Sequence, residues 1–194
     1  AITCTKALKE WEAREGTSLA EAKVVRIYGG IASEGKRQFI TKLDNGLNSL
    51  KECEQLSLST NQIDRLIPFG GMKKLKILSL GRNQIKKIEK LEDLSETLEE
   101  LWLSYNAIAS LDGLAPLRKL QVLYMGNNKI KDWGELEKLQ ANSELRDVLF
   151  VGNPIYEGLD RADAKLQVLK RVPHVMKIDG DIVKDSEREA ASKM

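Results

Sequence analysis

Histidine occurs once in this 194-residue chain, cysteine twice and proline four times. Each scarcity removes a class of function. The single histidine, His174, rules out a two-histidine zinc motif on a helix, and no Cys-x-x-Cys pair replaces it. A Ser-His-Asp triad would have to use His174, which lies in Val172-Pro173-His174-Val175-Met176 with no nucleophile elbow beside it. His174 therefore reads as a surface or cap residue. Gly29-Gly30 and Gly70-Gly71 are isolated pairs, so no phosphate-cradling loop is present. Asp179-Gly180-Asp181 opens like a calcium loop, but Lys184 stands where the turn glycine is required. The expectation is a non-enzyme with no metal and no cofactor. Cys4 and Cys53 are too few and too unpatterned for a disulfide framework. No apolar run approaches the roughly 20 residues of a membrane span. Ala1 to Lys6 shows no basic stretch leading into an apolar one, so neither a signal peptide nor a membrane partner is expected. Lys plus Arg numbers 31 against 29 for Asp plus Glu, a +2 balance that argues against a nucleic-acid partner. With 42% hydrophobic residues the chain can build a core, and it reads as soluble, reduced and intracellular.

What is abundant is repetition. The segment Leu75-x-x-Leu78-x-Leu80-x-x-Asn83-x-Ile85 recurs as Leu98 to Ile108 and, with Met125 in one leucine slot, as Leu120 to Ile130. Cys53 to Ile63 precedes it, and Leu145-x-x-Val148-x-Phe150-x-x-Asn153-x-Ile155 follows. Successive asparagines are 22, 23, 22 and 25 residues apart, inside the period of leucine-rich repeats. The predicted fold is an α/β leucine-rich-repeat solenoid. A parallel sheet lies on one face, helical returns on the other, and helical caps close both ends.

The physics of each slot follows from its neighbours. In Leu78-Ser79-Leu80 alternate side chains point opposite ways, so the leucines bury and Ser79 faces out. Asn61, Asn83, Asn106, Asn128 and Asn153 stack into a ladder whose amides satisfy backbone groups in the bend, which makes them architecture. Ile85, Ile88, Leu91 and Leu94, and likewise Ile108, Leu111, Leu114 and Leu117, suggest helical returns. Cys53 fills a core leucine slot and reads as a small buried apolar side chain. Val25-Arg26-Ile27-Tyr28-Gly29 reads as an upstream strand, and Ser33-Glu34-Gly35-Lys36-Arg37-Gln38 as a loop insertion.

Solenoids need covered ends. Residues 1–22 read as an N-terminal helical cap, with Ala7, Leu8 and Trp11 on one face and Gly16 as the stop. Ser18 and Glu21 have the spacing of a capping box for a second helix. Residues 23–156 form the stack of about six units. Residues 157–194 form the C-terminal cap, with Leu159, Ala162, Leu166 and Leu169 on a helix closed by Pro173. Beyond Gly180 the chain is charged and core-poor, either a frayed helix or a docking tail.

The register names the outward residues of the sheet. Ile77, Trp102, Val122, Tyr124 and Leu149 make its middle apolar on neighbouring strands about 4.8 Å apart. Arg82 and Tyr105 follow one position on, and Arg26 and Tyr28 belong to the first strand. A contiguous apolar patch holding Trp and Tyr marks an interface in a water-exposed protein. The alternative is that the chain's own loop or tail covers Trp102. Trp11 and Trp133 lie on helical segments and read as core or cap.

Several blocks go beyond the generic repeat. Ile77-Leu78-Ser79-Leu80-Gly81-Arg82-Asn83, Glu99-Glu100-Leu101-Trp102, Val122-Leu123-Tyr124-Met125 and Asn127-Asn128-Lys129-Ile130 resemble the leucine-rich-repeat light chains of axonemal outer-arm dynein. So do Gly152-Asn153-Pro154-Ile155-Tyr156 and Val172 to Gly180. The likeness runs from about Thr5 to Glu189, with a longer Ser33–Phe39 insertion and Asp181-Ile182-Val183-Lys184 as departures. It implies a non-enzymatic subunit, monomeric when free, bound through its sheet face to a dynein heavy chain of the outer arm. The contact would lie in the motor region near the microtubule-binding part, tuning motility. Its place would be the cytoplasm and cytoskeleton, in the axoneme of a cilium or flagellum. Among basic residues of the terminal helix, Arg188 matches a position implicated in contacts. Direct contact with tubulin in the microtubule stays open. The competing readings are a generic leucine-rich-repeat adapter, such as a phosphatase regulatory subunit, and a direct ligand of nucleic acid or of tubulin's acidic surface.

Overall fold

A computed structural model of the chain describes residues 1–31 and 35–194. Strand β1 (Ile2–Thr3) leads into helix α1 (Cys4–Glu15), then β2 (Val24–Arg26), β3 (Gly30–Ile31), β4 (Arg37–Gln38) and β5 (Ile40–Lys42). The repeat tripeptides follow as β6 (Gln55–Ser57), β7 (Ile77–Ser79), β8 (Glu100–Trp102) and β9 (Val122–Tyr124). Helix α2 (Gly134–Glu137), β10 (Asp147–Leu149), α3 (Arg161–Arg171), β11 (Lys177–Ile178), β12 (Asp181–Ile182) and α4 (Asp185–Ser192) complete the chain. One eight-stranded sheet runs β2-β6-β7-β8-β9-β10-β11-β12, parallel throughout except for the antiparallel β12. Its register aligns Val25, Leu56, Leu78, Leu101, Leu123, Val148 and Ile178 in one column, and all of them are buried.

The asparagine ladder works as a cross-brace. Asn83 Oδ1 accepts from the Ile63 N–H at 3.0 Å, while its Nδ2 donates to the carbonyls of Leu58 and Leu80 at 3.0 Å. One carbonyl belongs to its own repeat and the other to the repeat before. Asn61, Asn106, Asn128 and Asn153 repeat the pattern. To bring the amide in, the residue before each asparagine turns left-handed. Thr60, Arg82, Tyr105, Asn127 and Gly152 have φ of 58°, 55°, 61°, 54° and 84°. Non-glycine residues pay about 1 kcal/mol or more for this conformation, and the ladder repays it with hydrogen bonds.

Several expectations change. The returns carry short 3₁₀ turns at Asn45–Ser49, Glu92–Leu94 and Lys138–Ala141 and one α-turn in α2, while residues 108–117 hold no helix. Their apolar residues recur every three positions, which matches three residues per turn and not 3.6. Ser18 and Glu21 start no second helix. The Ser18 carbonyl accepts from Glu21 and Ala22 N–H groups, the Glu12 carboxylate takes the Leu19 N–H at 2.7 Å, and β2 begins at Val24. Within the Ser33–Gln38 insertion, Ser33 and Glu34 lie outside the described residues, but Arg37–Gln38 is a strand paired antiparallel with Gly30–Ile31. Strand β5 pairs in parallel with β1, tying the N-terminus to the first return.

The segment beyond Gly180 is an ordered part of the cap. β12 pairs with β11, and α4 packs on α3. Lys165, almost wholly buried, bonds both the Ile182 carbonyl and Glu187 at 2.9 Å. Ala191 buries beside them. A polar latch of this kind leaves no apolar periodicity to read.

Candidate functional site: the sheet face

The pleat sends two rows of side chains outward across the sheet. The first row runs Val24, Gln55, Ile77, Glu100, Val122, Asp147 and Lys177. The second runs Arg26, Ser57, Ser79, Trp102, Tyr124 and Leu149. Ile77 therefore sits in the row of Glu100 and Val122, one row away from Trp102. Trp102 is 38% exposed, so no loop or tail of the described chain covers it. Its ring stacks on Tyr124 with centroids 5.7 Å apart and planes 27° from parallel. Leu149 lies half-buried beside Tyr124. Val122 corrects the sequence-based expectation. It faces outward in register but is only 6% exposed, so it supports the patch from beneath.

Beyond the aromatic pair the residues are small, with Gly81 half-buried and Gly126 buried under Leu149. Gly81 and Gly126 occupy outward positions, and a Cβ at Gly126 would meet Leu149 Cδ2 at 2.4 Å. Ser59 and Ser79 share a hydrogen bond of 2.8 Å, which helps bury Ser79 on the outward face. Ser59, Thr60, Ser79, Gly81, Arg82, Trp102, Ser104, Tyr105 and Tyr124 enclose an open depression of about 280 Å³. Arg82 and Tyr105 reach its rim because their left-handed backbones swing them out of the ladder turn. The Arg82 guanidinium carbon lies 4.1 Å from the Tyr105 ring centroid.

The electrostatics differ across the face. Between the two rows, the Tyr124 hydroxyl of the second donates to Asp147 Oδ2 of the first at 2.9 Å. Burial, that hydrogen bond and the charges of Asp147 and Glu100 push the Tyr124 hydroxyl up to about 12. Burial, with Glu99 and Asp147 nearby, raises the Glu100 carboxyl above its ordinary value against the pull of Arg146. The other side of the aromatic midline carries Arg82.

Comparison with known proteins agrees with this architecture. The family model for leucine-rich repeats in two copies matches residues 96–138. The chain is 46% identical to dynein axonemal light chain 1 of Chlamydomonas reinhardtii over 196 residues, covering 99% of this chain and 96% of the relative. It is 50% identical to dynein axonemal light chain 1 of Xenopus laevis over 191 residues, covering 97% and 96%. The chain belongs to the dynein axonemal light chain 1 family. Among solved structures, internalin C2 of Listeria monocytogenes superimposes with a TM-score of 0.53 at 22% identity, covering 94% of this chain and 86% of the internalin, which speaks for the leucine-rich-repeat fold alone.

In this member of the dynein axonemal light chain 1 family, the remaining predicted residues divide. Tyr28 and Arg26 are exposed at the N-terminal end of the face, two strands away from β7. Arg188 is not on the face. Its guanidinium is spent on the carbonyls of Pro173 and Val175, at 2.6 Å for the latter, so it fastens α4 to the cap. Sequence reasoning passed over Thr60 on the depression and the Tyr124–Asp147 bond. Aligning the residue before each asparagine as a column of its own would have found Thr60. The bond needed the register between β9 and β10.

Proposed function

We propose that this chain is a non-enzymatic light chain of an axonemal dynein. It binds a dynein heavy chain in its motor region, near the microtubule-binding part, and tunes motor attachment in the axoneme of cilia or flagella. The sheet face is the docking surface. The observation that carries this reading is the Trp102–Tyr124 stack, Trp102 exposed and Tyr124 half-buried, at the centre of a face with small residues on one flank. A stacked aromatic pair already fixed in place gives up little further conformational entropy on binding, and Trp and Tyr dominate interface energies. Family membership supplies the class of partner.

The test is titration of the purified chain against a recombinant axonemal dynein heavy-chain motor domain. Trp102→Ala and Tyr124→Ala are each expected to weaken binding by about 30- to 1,000-fold, the equivalent of about 2–4 kcal/mol. Both variants should keep the circular dichroism spectrum of the parent. Undiminished binding by both would move the docking surface elsewhere on the solenoid.

A further inference from the structure

We propose that the depression beside Trp102 is a carboxylate subsite, in which Arg82 reads one Asp or Glu side chain of the heavy chain. The proposal rests on the reading of the sheet face as the heavy-chain docking surface and adds the chemistry that sets its register.

Three observations carry it. First, Arg82 is held in place without being neutralised. Its guanidinium lies against the Tyr105 ring at 4.1 Å, and it takes part in no ion pair among the described residues. Stacking on a ring leaves the edge of the guanidinium, with its fork of N–H donors, free for a planar acceptor. Second, among the described residues lining the depression none is acidic, and Ser59, Thr60, Ser79, Ser104 and Tyr105 add hydroxyl groups. The site is thus cationic at one point and hydrogen-bonding around it, the complement of a single carboxylate. Third, on the central strands β8 and β10 the acidic groups of the face, Glu100 and Asp147, lie in the first row, on the far side of the aromatic midline, with Lys177 beyond them at the C-terminal end of that row. Glu100 stands two residues before Trp102, roughly 6.6 Å along the strand. A partner segment with an apolar stripe therefore meets a positive rim on one flank and a negative one on the other. Only one orientation places its own carboxylate at Arg82, and opposed charges of this kind fix register more than they add affinity. One guanidinium matches the charge of one carboxylate and leaves half of a phosphate dianion unmatched.

The experiment measures the affinity of the heavy-chain motor domain for wild type, Arg82→Gln, Arg82→Lys and Trp102→Ala across a salt series. Arg82→Gln is expected to weaken binding by about 30-fold, the scale of a lost charge-assisted hydrogen bond at an interface. Arg82→Lys should recover little of it, because an ammonium neither stacks on Tyr105 in the same way nor offers a planar fork. The weakening of wild-type binding with salt should flatten in Arg82→Gln, a readout that loss of packing alone does not move. Should Arg82→Gln fail to fold, Tyr105→Leu removes the ring that positions the guanidinium while keeping its charge, and the same loss is expected. Arg82→Gln within twofold of wild type, with an unchanged salt dependence, overturns the subsite. If Trp102→Ala then still loses binding, the docking face stands without it. No binding by the wild-type chain overturns both.

Discussion

The buried and exposed columns of the solenoid obey different rules. Inside, the column Leu56, Leu78, Leu101, Leu123, Val148 holds one kind of residue at every step, and the asparagine column holds one residue at all five. Outside, the neighbouring column reads Ser57, Ser79, Trp102, Tyr124, Leu149, and the column before the asparagines reads Thr60, Arg82, Tyr105, Asn127, Gly152. Each interior residue answers to the same two neighbours, so packing and hydrogen bonding impose sameness. The outer columns are released from that demand, and the proposed docking surface draws on their variety. The asparagine and its predecessor sharpen the contrast, because adjacent residues in one turn fall on opposite sides of it.

The largest expected effect comes from breaking the interior rule. Asn83→Ala leaves the buried Ile63 N–H without its partner and takes one of two asparagine donors from each of the Leu58 and Leu80 carbonyls, which keep Asn61 and Asn106. It should destabilise the fold by about 3–5 kcal/mol, with a fall in Tm of about 6–20 °C in thermal unfolding. Binding by the fraction that remains folded should be little changed. A variant that unfolds like wild type would mean the ladder is decoration.

A middling effect is expected where repetition ends, at the cap. Burial tends to raise the Glu187 carboxyl, but the Lys184 N–H and the Lys165 ammonium outweigh it and hold the group below its ordinary value. A lowered folded pKa contributes stability above the unfolded value of about 4.3, and that contribution disappears as pH falls through the folded value. Glu187→Gln should cost about 1–2 kcal/mol at pH 7, less than a fully buried pair because Glu187 is partly wet. Its denaturation midpoint should also fall less steeply than that of wild type below about pH 4. Parallel acid profiles for the two proteins would remove Glu187 from the latch.

The smallest effect separates the two columns within a single turn. Tyr105 has a φ of 61°, which a bulky side chain tolerates poorly and asparagine accepts. Tyr105→Asn should leave stability within about 1 kcal/mol of wild type, or slightly above it, because relief of strain offsets the lost stacking on Arg82. Heavy-chain binding should weaken at the same time. A large drop in Tm would show that Tyr105 serves the interior after all.

Much of the fold was legible because it is written five times. Asn61, Asn83, Asn106, Asn128 and Asn153 set the period, and the alternation around Leu78 and Leu80 gave the inward and outward faces. Trp102 and Tyr124 were legible as outward-facing residues for the same reason. Val122 was not, since alternation gives direction but not depth. The helical character expected of Ile108 to Leu117 was also misread, because a three-residue spacing resembles a helix until its turns are built. The anchoring of Arg188 and of the segment after Gly180 was not legible, because a few polar contacts to carbonyls and to Lys165 hold them.

The sequence by itself therefore determined the repeat, its register and the family, since these depend on local spacing and on residues that recur. Only the tertiary structure decided how deep Val122 lies, that Tyr124 bonds Asp147, that Arg82 rests on Tyr105, and that the C-terminal helix is latched in place. Those outcomes turn on contacts between strands and helices about 20 residues or more apart. Periodicity reports which way a side chain points, but the neighbour it meets is set by how the repeats stack.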